Sequence, residues 1–203
     1  GSYLFDGFNY QYTEDIYKKQ SLLFNKVKGK KDVLEIGTYM GHSVLLMLVA
    51  NPRLNITTID INDEFSKPAI NYLISQFPEA DIDFIHGDSL KVINKLKKKF
   101  DFFHIDGCHK NKIVTKEFNK CKKLCKSDQL EIIFDDNYNL KVLVKNIETS
   151  YQIAEKISKG HSWYTNLYVK INLPKSKFKN LLVNMIFNIK NISKYVILKL
   201  KKL

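Results

Sequence analysis

The chain has 203 residues, a length that favours one domain with an appendage. Its 44% hydrophobic and 27% charged residues exclude a wholly disordered, collagen-like or coiled-coil protein. The formal net charge is +12, but the last acidic residue is Glu155 and eleven lysines follow it. The chain up to Glu155 is almost neutral, which argues against a nucleic-acid surface spread over the whole chain.

Helical and strand patterns alternate along the sequence. The strand patterns are short runs of β-branched and aromatic residues, and the helical patterns are longer and bounded by polar or Pro residues. Ser66 and Ser89 are predicted to cap two of the helices. In chain order we predict a helix over 11–28, a strand over 32–37, a helix over 38–50, a strand over 55–60, a helix over 66–77, a strand over 82–85, a helix over 90–98, a strand over 100–105, a helix over 110–126, a strand over 130–134, and strands over 151–157 and 163–172.

This alternation predicts right-handed βαβ units and therefore an α/β fold, a Rossmann-like doubly wound sheet that is mostly parallel. The last two strands are close enough in sequence to form an antiparallel hairpin, which gives seven strands. In such sheets the ligand binds beyond the C-terminal ends of the strands. Functional residues are therefore expected where each strand ends.

Residues 173–203 are predicted to form a basic, amphipathic helical extension after a domain over 1–172. Apolar residues recur there every three or four positions, with lysines and asparagines between them. Three roles stay open for this segment: packing on this domain or on one outside the chain, contact with an anionic membrane surface, or contact with nucleic acid.

The three cysteines, Cys108, Cys121 and Cys125, have no framework spacing. Their odd number argues against a disulfide-stapled secreted domain, so structural roles are expected. The sequence shows no signal peptide and no run of about 18 apolar residues. A soluble, cytoplasmic protein is therefore predicted. Gly1-Ser2 is typical of an expression scar, which suggests a piece of a longer chain.

A glycine-containing segment, EIGTYMGHS over residues 35–43, ends the first strand. Gly37 permits a tight turn and close approach of a ligand. Tyr39 replaces the second glycine of a G-x-G-x-x-G motif, which disfavours a dinucleotide and leaves an adenosine ligand that carries an amino acid. Asp60 ends the second strand, where a carboxylate can bind both ribose hydroxyls. Residues 86–89 end the third strand, where an adenine edge would lie.

These strand ends resemble the motifs of class I S-adenosylmethionine-dependent methyltransferases. Residues 33–43 are similar to the first motif, Ile59-Asp60 to the second and Gly87-Asp88-Ser89 to the third. The resemblance implies S-adenosylmethionine as cofactor, with Glu35 and Gly37 at its methionine part, Asp60 at the ribose, and Asp88 with Ser89 at the adenine. A doubly wound domain that binds another ligand stays open. The full set of implied cofactor-binding residues is Glu35, Gly37, Thr38, Tyr39, Gly41, Ser43, Asp60, Ile61, Gly87, Asp88, Ser89 and Asp106.

The segment FHIDGCH over residues 103–109 is similar to the I-D-G-D-H pattern of a smaller group. That group includes O-methyltransferases of macrolide sugars and cephalosporin-hydroxylase-like proteins. Cys108 departs from the acidic residue that is usual there. Residues 132–138, IIFDDNY, match the acidic pair of the same group. Catechol-type O-methyltransferases place metal ligands at these two strand ends, so the resemblance implies an O-methyltransferase.

The fourth and fifth strands are neighbours in this topology, so Asp106, Asp135 and Asp136 are expected to converge. Three carboxylates raise one another's pKa unless a cation neutralises them. A divalent cation, Mg²⁺ or Mn²⁺, would do so and would lower the pKa of a bound hydroxyl, which makes these three aspartates the predicted metal ligands. Asp106 and His109 are the predicted catalytic residues, with His109 as general base. Helix capping by Asp135 or Asp136, Asn137 as a ligand instead of Asp135, and a helix-start role for His109 stay open.

The leading hypothesis is an O-methyltransferase that acts on a sugar hydroxyl, in a domain fused to glycosyltransferase modules of a larger, viral protein. A catechol-type small-molecule enzyme, a nucleic-acid methyltransferase and a non-catalytic adenosine-ligand module are the alternatives. Residues 106–109 lack the prolines of a D/N-P-P-Y loop, which weakens the nucleic-acid alternative. Aromatic residues are candidates for a lid over the acceptor or for core packing: Tyr3, Phe5, Phe8, Tyr10, Tyr12, Trp163 and Tyr164.

Overall fold

A seven-stranded sheet organises the computed structural model, which describes residues 12–160 and 165–174. The strand order is β3-β2-β1-β4-β5-β7-β6, and every pair is parallel except β5–β7 and β7–β6. The predicted fold class is therefore confirmed, including the late antiparallel hairpin. The strands are β1 Asp32–Ile36, β2 Asn55–Asp60, β3 Asp81–His86, β4 Phe102–Ile105, β5 Gln129–Phe134, β6 Gln152–Lys159 and β7 Asn166–Asn172.

Two apolar cores cover the two faces of the sheet. One contains buried residues of the first three helices, and the other contains buried residues of the fifth and sixth. No helix within the described residues is both long enough and apolar enough to span a bilayer. The helices are α1 Glu14–Val27, α2 His42–Ala50, α3 Asp63–Gln76, α4 Ser89–Val92, α5 Asn111–Leu124, a 3₁₀-helix Asn137–Leu140, and α6 Lys141–Ser150.

Several predictions fall outside the described residues. They concern the aromatic residues before position 12, the Trp163-Tyr164 pair, and the amphipathic extension, of which all but residues 173 and 174 lie beyond the described part. Tyr12 is described and is exposed. The predicted boundary between the domain and the extension stays a prediction.

Both predicted helix caps were wrong, and the actual caps are acidic or amide side chains. The Asn62 side chain accepts a hydrogen bond from the backbone N–H of Glu64, so α3 begins before Ser66, which is buried inside it. Asp88 caps α4 by accepting from the N–H of Leu90 at 2.8 Å. Asn and Asp are at least as good as Ser at this position, because their side-chain oxygens reach the second or third N–H.

Two helix extents differ from the predictions by more than three residues, and one helix was not predicted. The fourth helix ends at Val92 instead of residue 98, before a lysine-rich segment. The second begins at His42, because residues 38–41 form a turn. The sixth helix, over 141–150, was not predicted, since its few apolar positions are mixed with residues of modest helix propensity.

Gly37 allows the ends of β1 and β4 to touch. Its φ of +94° lies in the region that favours glycine, and a Cβ at this position would lie 2.3 Å from the carbonyl oxygen of Asp106. The N–H of Asp106 donates to the carbonyl of Ile36 at 2.7 Å, and the N–H of Gly37 donates to that of Ile59 at 2.8 Å. Gly37 therefore lies where three strand ends meet.

We expect Gly37→Ala to lower the free energy of unfolding by about 1–3 kcal/mol, because the new methyl group must push rigid backbone aside. Urea unfolding followed by circular dichroism measures this. Gly29→Ala is the matched control, since nothing lies within 4 Å of a Cβ there. Equal unfolding midpoints for the two variants would contradict this account of Gly37.

Candidate active site

A cavity of about 630 Å³ opens beyond the C-terminal ends of β1 to β4. Its position is the one that the parallel topology predicts for a ligand. Cys108, Ile113 and Glu117 line it together with most of the predicted cofactor-binding residues. Those predicted residues are Gly37, Tyr39, Asp60, Ile61, Gly87, Asp88, Ser89 and Asp106.

Asp60 holds the loop between β1 and α2 against the end of β2. Its Oδ2 accepts hydrogen bonds from the backbone N–H groups of Thr38 at 2.8 Å and Tyr39 at 2.7 Å. Its Oδ1 accepts from the N–H of Asn62 at 2.9 Å. A carboxylate has about four acceptor positions, so Asp60 retains capacity for a ligand hydroxyl.

Tyr39 takes the backbone conformation that the replaced glycine would favour. Its φ is +47°, which is uncommon for a residue with a side chain. The hydrogen bond to Asp60 helps to hold this conformation, and the half-exposed ring packs edge-on against Phe65. The backbone path of the loop is thus kept although the second glycine is absent.

A buried polar network contacts this loop through Thr38. Glu35 is fully buried, and its Oε2 accepts from Thr58 Oγ1 at 2.7 Å. Its Oε1 accepts from Ser43 Oγ at 2.5 Å and lies 3.0 Å from His104 Nδ1. Thr58 Oγ1 also lies 2.6 Å from Thr38 Oγ1. The network connects β1, β2 and β4 through residues one or two positions before the strand ends.

Four predicted cofactor-binding residues are not among those that line this cavity: Glu35, Thr38, Gly41 and Ser43. The structure places three of them in or beside the buried network and places Gly41 against Leu73 and Ala69 of α3. Direct contact of these four residues with a cofactor stays a prediction.

Three aspartates and one lysine form a cluster at the ends of β4 and β5. Asp106 and Asp135 each follow the last residue of a strand, and both are buried. Potential metal-ligand atoms of Asp106, Asp135 and His104 lie within 4.8 Å of one another. Lys19 of α1 is also buried, with Nζ 2.8 Å from Asp135 Oδ1 and 3.3 Å from Asp136 Oδ1. The predicted convergence of Asp106 and Asp135 is present, with His104 as the third close group, whereas Asp136 contacts the cluster through Lys19.

The charges in this acid cluster shift one another's pKa values. Burial and the neighbouring Asp135 raise the pKa of Asp106 well above its ordinary value. Burial also opposes ionisation of Asp135, but the Lys19 ammonium and a hydrogen bond from Asp106 lower its pKa to about 2. Burial and Asp135 raise the pKa of Asp136. Burial alone would lower the pKa of Lys19, yet the two adjacent carboxylates raise it.

The donor set of the acid cluster fits a divalent cation. Lys19 offsets only one of the three negative charges that full ionisation would give, and burial, followed by the neighbouring Asp135, raises the pKa of Asp106. A divalent ion would offset the other two, and carboxylate oxygens are the donors that Mg²⁺ and Mn²⁺ take. Asp106 and Asp135 have oxygens close enough to hold the ion together, with a ring nitrogen of His104 within the same 4.8 Å, and Asp135 also pairs with Lys19. Asp136 as a ligand stays a prediction.

His109 lies beside the acid cluster. It is half-buried, and its charge acts to lower the pKa of Asp136. It is not among the residues that line the cavity, whereas the nearby Cys108 is. His104 is fully buried against Glu35. The general-base role of His109 stays a prediction.

Sequence reasoning missed Lys19 and Glu117, although each left a signal. Both are charged residues on the apolar face of an amphipathic helix: Lys19 lies three residues after Ile16 and four before Leu23, and Glu117 lies three after Val114. Charged residues are seldom fully buried unless they are paired. A charge within an apolar stripe therefore indicates a partner elsewhere in the fold.

Comparison with known proteins agrees with this geometry. Residues 19–160 match the family described as O-methyltransferase. The chain therefore belongs to the O-methyltransferase family, which confirms its predicted place among the class I S-adenosylmethionine-dependent methyltransferases.

One sequence relative and two solved structures are similar to this chain. An Arabidopsis thaliana protein that carries the name caffeoyl-CoA O-methyltransferase is 34% identical over 85 residues, which are 40% of this chain and 37% of that protein. The O-methyltransferase TomG of Streptomyces achromogenes, involved in tomaymycin synthesis and solved with S-adenosylmethionine, has a TM-score of 0.61 and 17% identity over 77% of this chain and 80% of its own. A Bacillus cereus O-methyltransferase solved with S-adenosylhomocysteine also has a TM-score of 0.61 and 17% identity, over 80% of this chain and 82% of its own. The two structural likenesses show the fold.

We expect Lys19→Met to lower the free energy of unfolding at neutral pH by about 3–5 kcal/mol, because it leaves buried carboxylates without their ammonium partner. Asp135, with a pKa of about 2 in the folded chain and about 3.9 when unfolded, contributes stability that is present above pH 4 and lost as pH falls towards 2. The difference in free energy of unfolding between wild type and Lys19→Met should therefore become smaller as the pH falls from 4 towards 2.

Urea unfolding at a series of pH values measures this gap. Lys18→Met is the matched control, since Lys18 is on the same helix but exposed, in a surface pair with Glu14. A loss for Lys19→Met no larger than that for Lys18→Met would show that Lys19 does not stabilise the acid cluster.

Proposed function

We propose that this chain transfers a methyl group from S-adenosylmethionine to a hydroxyl of a sugar, in a glycan or a glycosylated acceptor. The observation that carries the proposal is the position of Asp106, which belongs both to the lining of the cavity and to the acid cluster. A methyl donor in the cavity would then lie next to a hydroxyl held at the carboxylates. Proximity of this kind is a large part of catalysis for a two-substrate reaction.

The cavity residues account for the binding of the methyl donor. Asp60, already fixed by three backbone N–H groups, is placed to accept from a ribose hydroxyl. Asp88 and Ser89 line the side where the adenine would lie, and Gly37 lines the side where the methionine part would lie. When bound, S-adenosylmethionine supplies an electrophilic methyl carbon on a positively charged sulfur.

The acid cluster accounts for the activation of the acceptor. Asp106, Asp135 and Asp136 would hold a divalent cation, which supplies positive charge that lowers the pKa of a bound hydroxyl. His109 would take the proton from that hydroxyl, and the nearby Asp136 would stabilise the resulting imidazolium. The hydroxyl oxygen then forms a bond to the methyl carbon, and the carbon–sulfur bond breaks to leave S-adenosylhomocysteine.

A sugar is favoured as acceptor by residues 103–109 and by the acidic pair Asp135-Asp136, which resemble the sugar-modifying group. A catechol-type acceptor is the second candidate, and the caffeoyl-CoA O-methyltransferase name of the Arabidopsis thaliana relative favours it. Both acceptors offer adjacent hydroxyls, so the same acid cluster would serve either. The near-neutral charge of the chain up to Glu155 leaves a nucleic acid as the weaker candidate.

The experiment is an assay with isotopically labelled S-adenosylmethionine against a panel of sugars, glycosides and catechols, with and without EDTA. We expect methylation of a sugar hydroxyl that EDTA abolishes and excess Mg²⁺ restores. His109→Ala should lower kcat by about 10²- to 10⁴-fold while S-adenosylhomocysteine still binds.

Each part of the proposal has its own contrary outcome in this assay. Activity on catechols and on no sugar would overturn the sugar proposal. Full activity in EDTA, after the protein is shown to be free of metal, would overturn the metal proposal. An undiminished kcat for His109→Ala would remove His109 as the base.

A further inference from the structure

A buried carboxyl group lies at one end of the cavity and plays no part in the mechanism above. Glu117 of α5 lines the cavity but is only 1% exposed. Its Oε1 accepts a hydrogen bond from Ser89 Oγ at 2.5 Å, and its buried Oε2 has no hydrogen-bond partner among the described residues. Burying a carboxylate oxygen without a hydrogen-bond partner lowers the free energy of unfolding, so Glu117 is a candidate for a functional role.

The contact with Ser89 fixes the direction of a hydrogen bond. An ionised carboxylate only accepts hydrogen bonds, whereas a hydroxyl has one proton and two lone pairs. The Ser89 hydroxyl is the one donor that the described residues offer to Glu117, so its proton is committed to that carboxylate. Burial raises the pKa of Glu117, the hydrogen bond from Ser89 acts to lower it, and the charge of Asp88 raises it further.

Ser89 therefore presents only lone pairs to the cavity. It is half-buried, lines the cavity and follows Asp88 at the end of β3. Its Oγ can accept a hydrogen bond from a ligand but has no proton left to donate to one. A ligand that presents an N–H group there is favoured, and a ligand that presents a carbonyl oxygen is disfavoured, because two acceptors would then face each other.

We propose that Glu117 is a positioning residue that makes this site selective for adenine over hypoxanthine. By holding the Ser89 proton, it sets Ser89 Oγ to accept from the exocyclic amino group of the adenine, a group that hypoxanthine replaces with a carbonyl. The inference rests on the proposed function, since it requires the adenosyl part of the methyl donor in this cavity. It assigns to Glu117 a role in ligand selection that neither motif resemblance nor cavity lining gives it.

The test compares the affinities of S-adenosylhomocysteine and of its deaminated analogue, S-inosylhomocysteine, by isothermal titration calorimetry. Wild type should prefer the adenine compound by about 10- to 100-fold, the range expected when a polar group is left facing an acceptor. Glu117→Gln should reduce this ratio severalfold, chiefly by improving binding of the analogue, because an amide N–H can donate to Ser89 and release its proton. Ser89→Ala should reduce the ratio as well.

The control is Glu148→Gln, a partly exposed carboxylate of α6 that pairs with Lys156 and lies outside the cavity. It should leave both affinities unchanged. A Glu117→Gln variant that weakens both compounds equally, or leaves the ratio as in wild type, would show a merely structural carboxylate and overturn the inference alone. Failure of folded wild type to bind S-adenosylhomocysteine at all would overturn the proposed function and this inference together.

Discussion

Buried negative charge at the ends of β4 and β5 is the constraint on which the site depends. Asp106 and Asp135 follow adjacent parallel strands, so the sheet itself places their side chains together away from water. Such a pair is stable only with compensation: the buried Lys19 ammonium lies 2.8 Å from Asp135, and burial together with Asp135 raises the pKa of Asp106 well above its ordinary value. In the proposed function, a divalent cation supplies the rest of this compensation.

The cavity and the acid cluster form one continuous site because Asp106 belongs to both. The cavity is built from backbone geometry: Gly37 lets the strand ends touch, and Asp60 ties the β1–α2 loop to β2 through N–H groups. The acid cluster is built from charged side chains. Membership of the O-methyltransferase family joins the two, since its chemistry needs a bound methyl donor beside an activated hydroxyl.

The strand pattern and the strand-end residues could be predicted because both are local properties of the sequence. Runs such as residues 55–60 and 130–134 are rich in β-branched and aromatic residues, and the parallel topology then brings their terminal aspartates to one edge. Lys19 could not be placed in this way, since it joins the acid cluster from a helix more than a hundred residues away in sequence. The Glu117–Ser89 contact likewise depends on how α5 packs on the sheet. Helix caps and the sixth helix were missed because weak local preferences decide them.

The central claim is that the cavity binds the adenosyl methyl donor through Asp60, and calorimetric titration with S-adenosylhomocysteine in magnesium tests it most directly. The account predicts one site per chain with a dissociation constant on the order of micromolar, a binding free energy of about 8 kcal/mol. Asp60→Ala, shown by circular dichroism to be folded, should lose this binding. No heat of binding to folded wild type, or unchanged affinity in Asp60→Ala, would contradict the account.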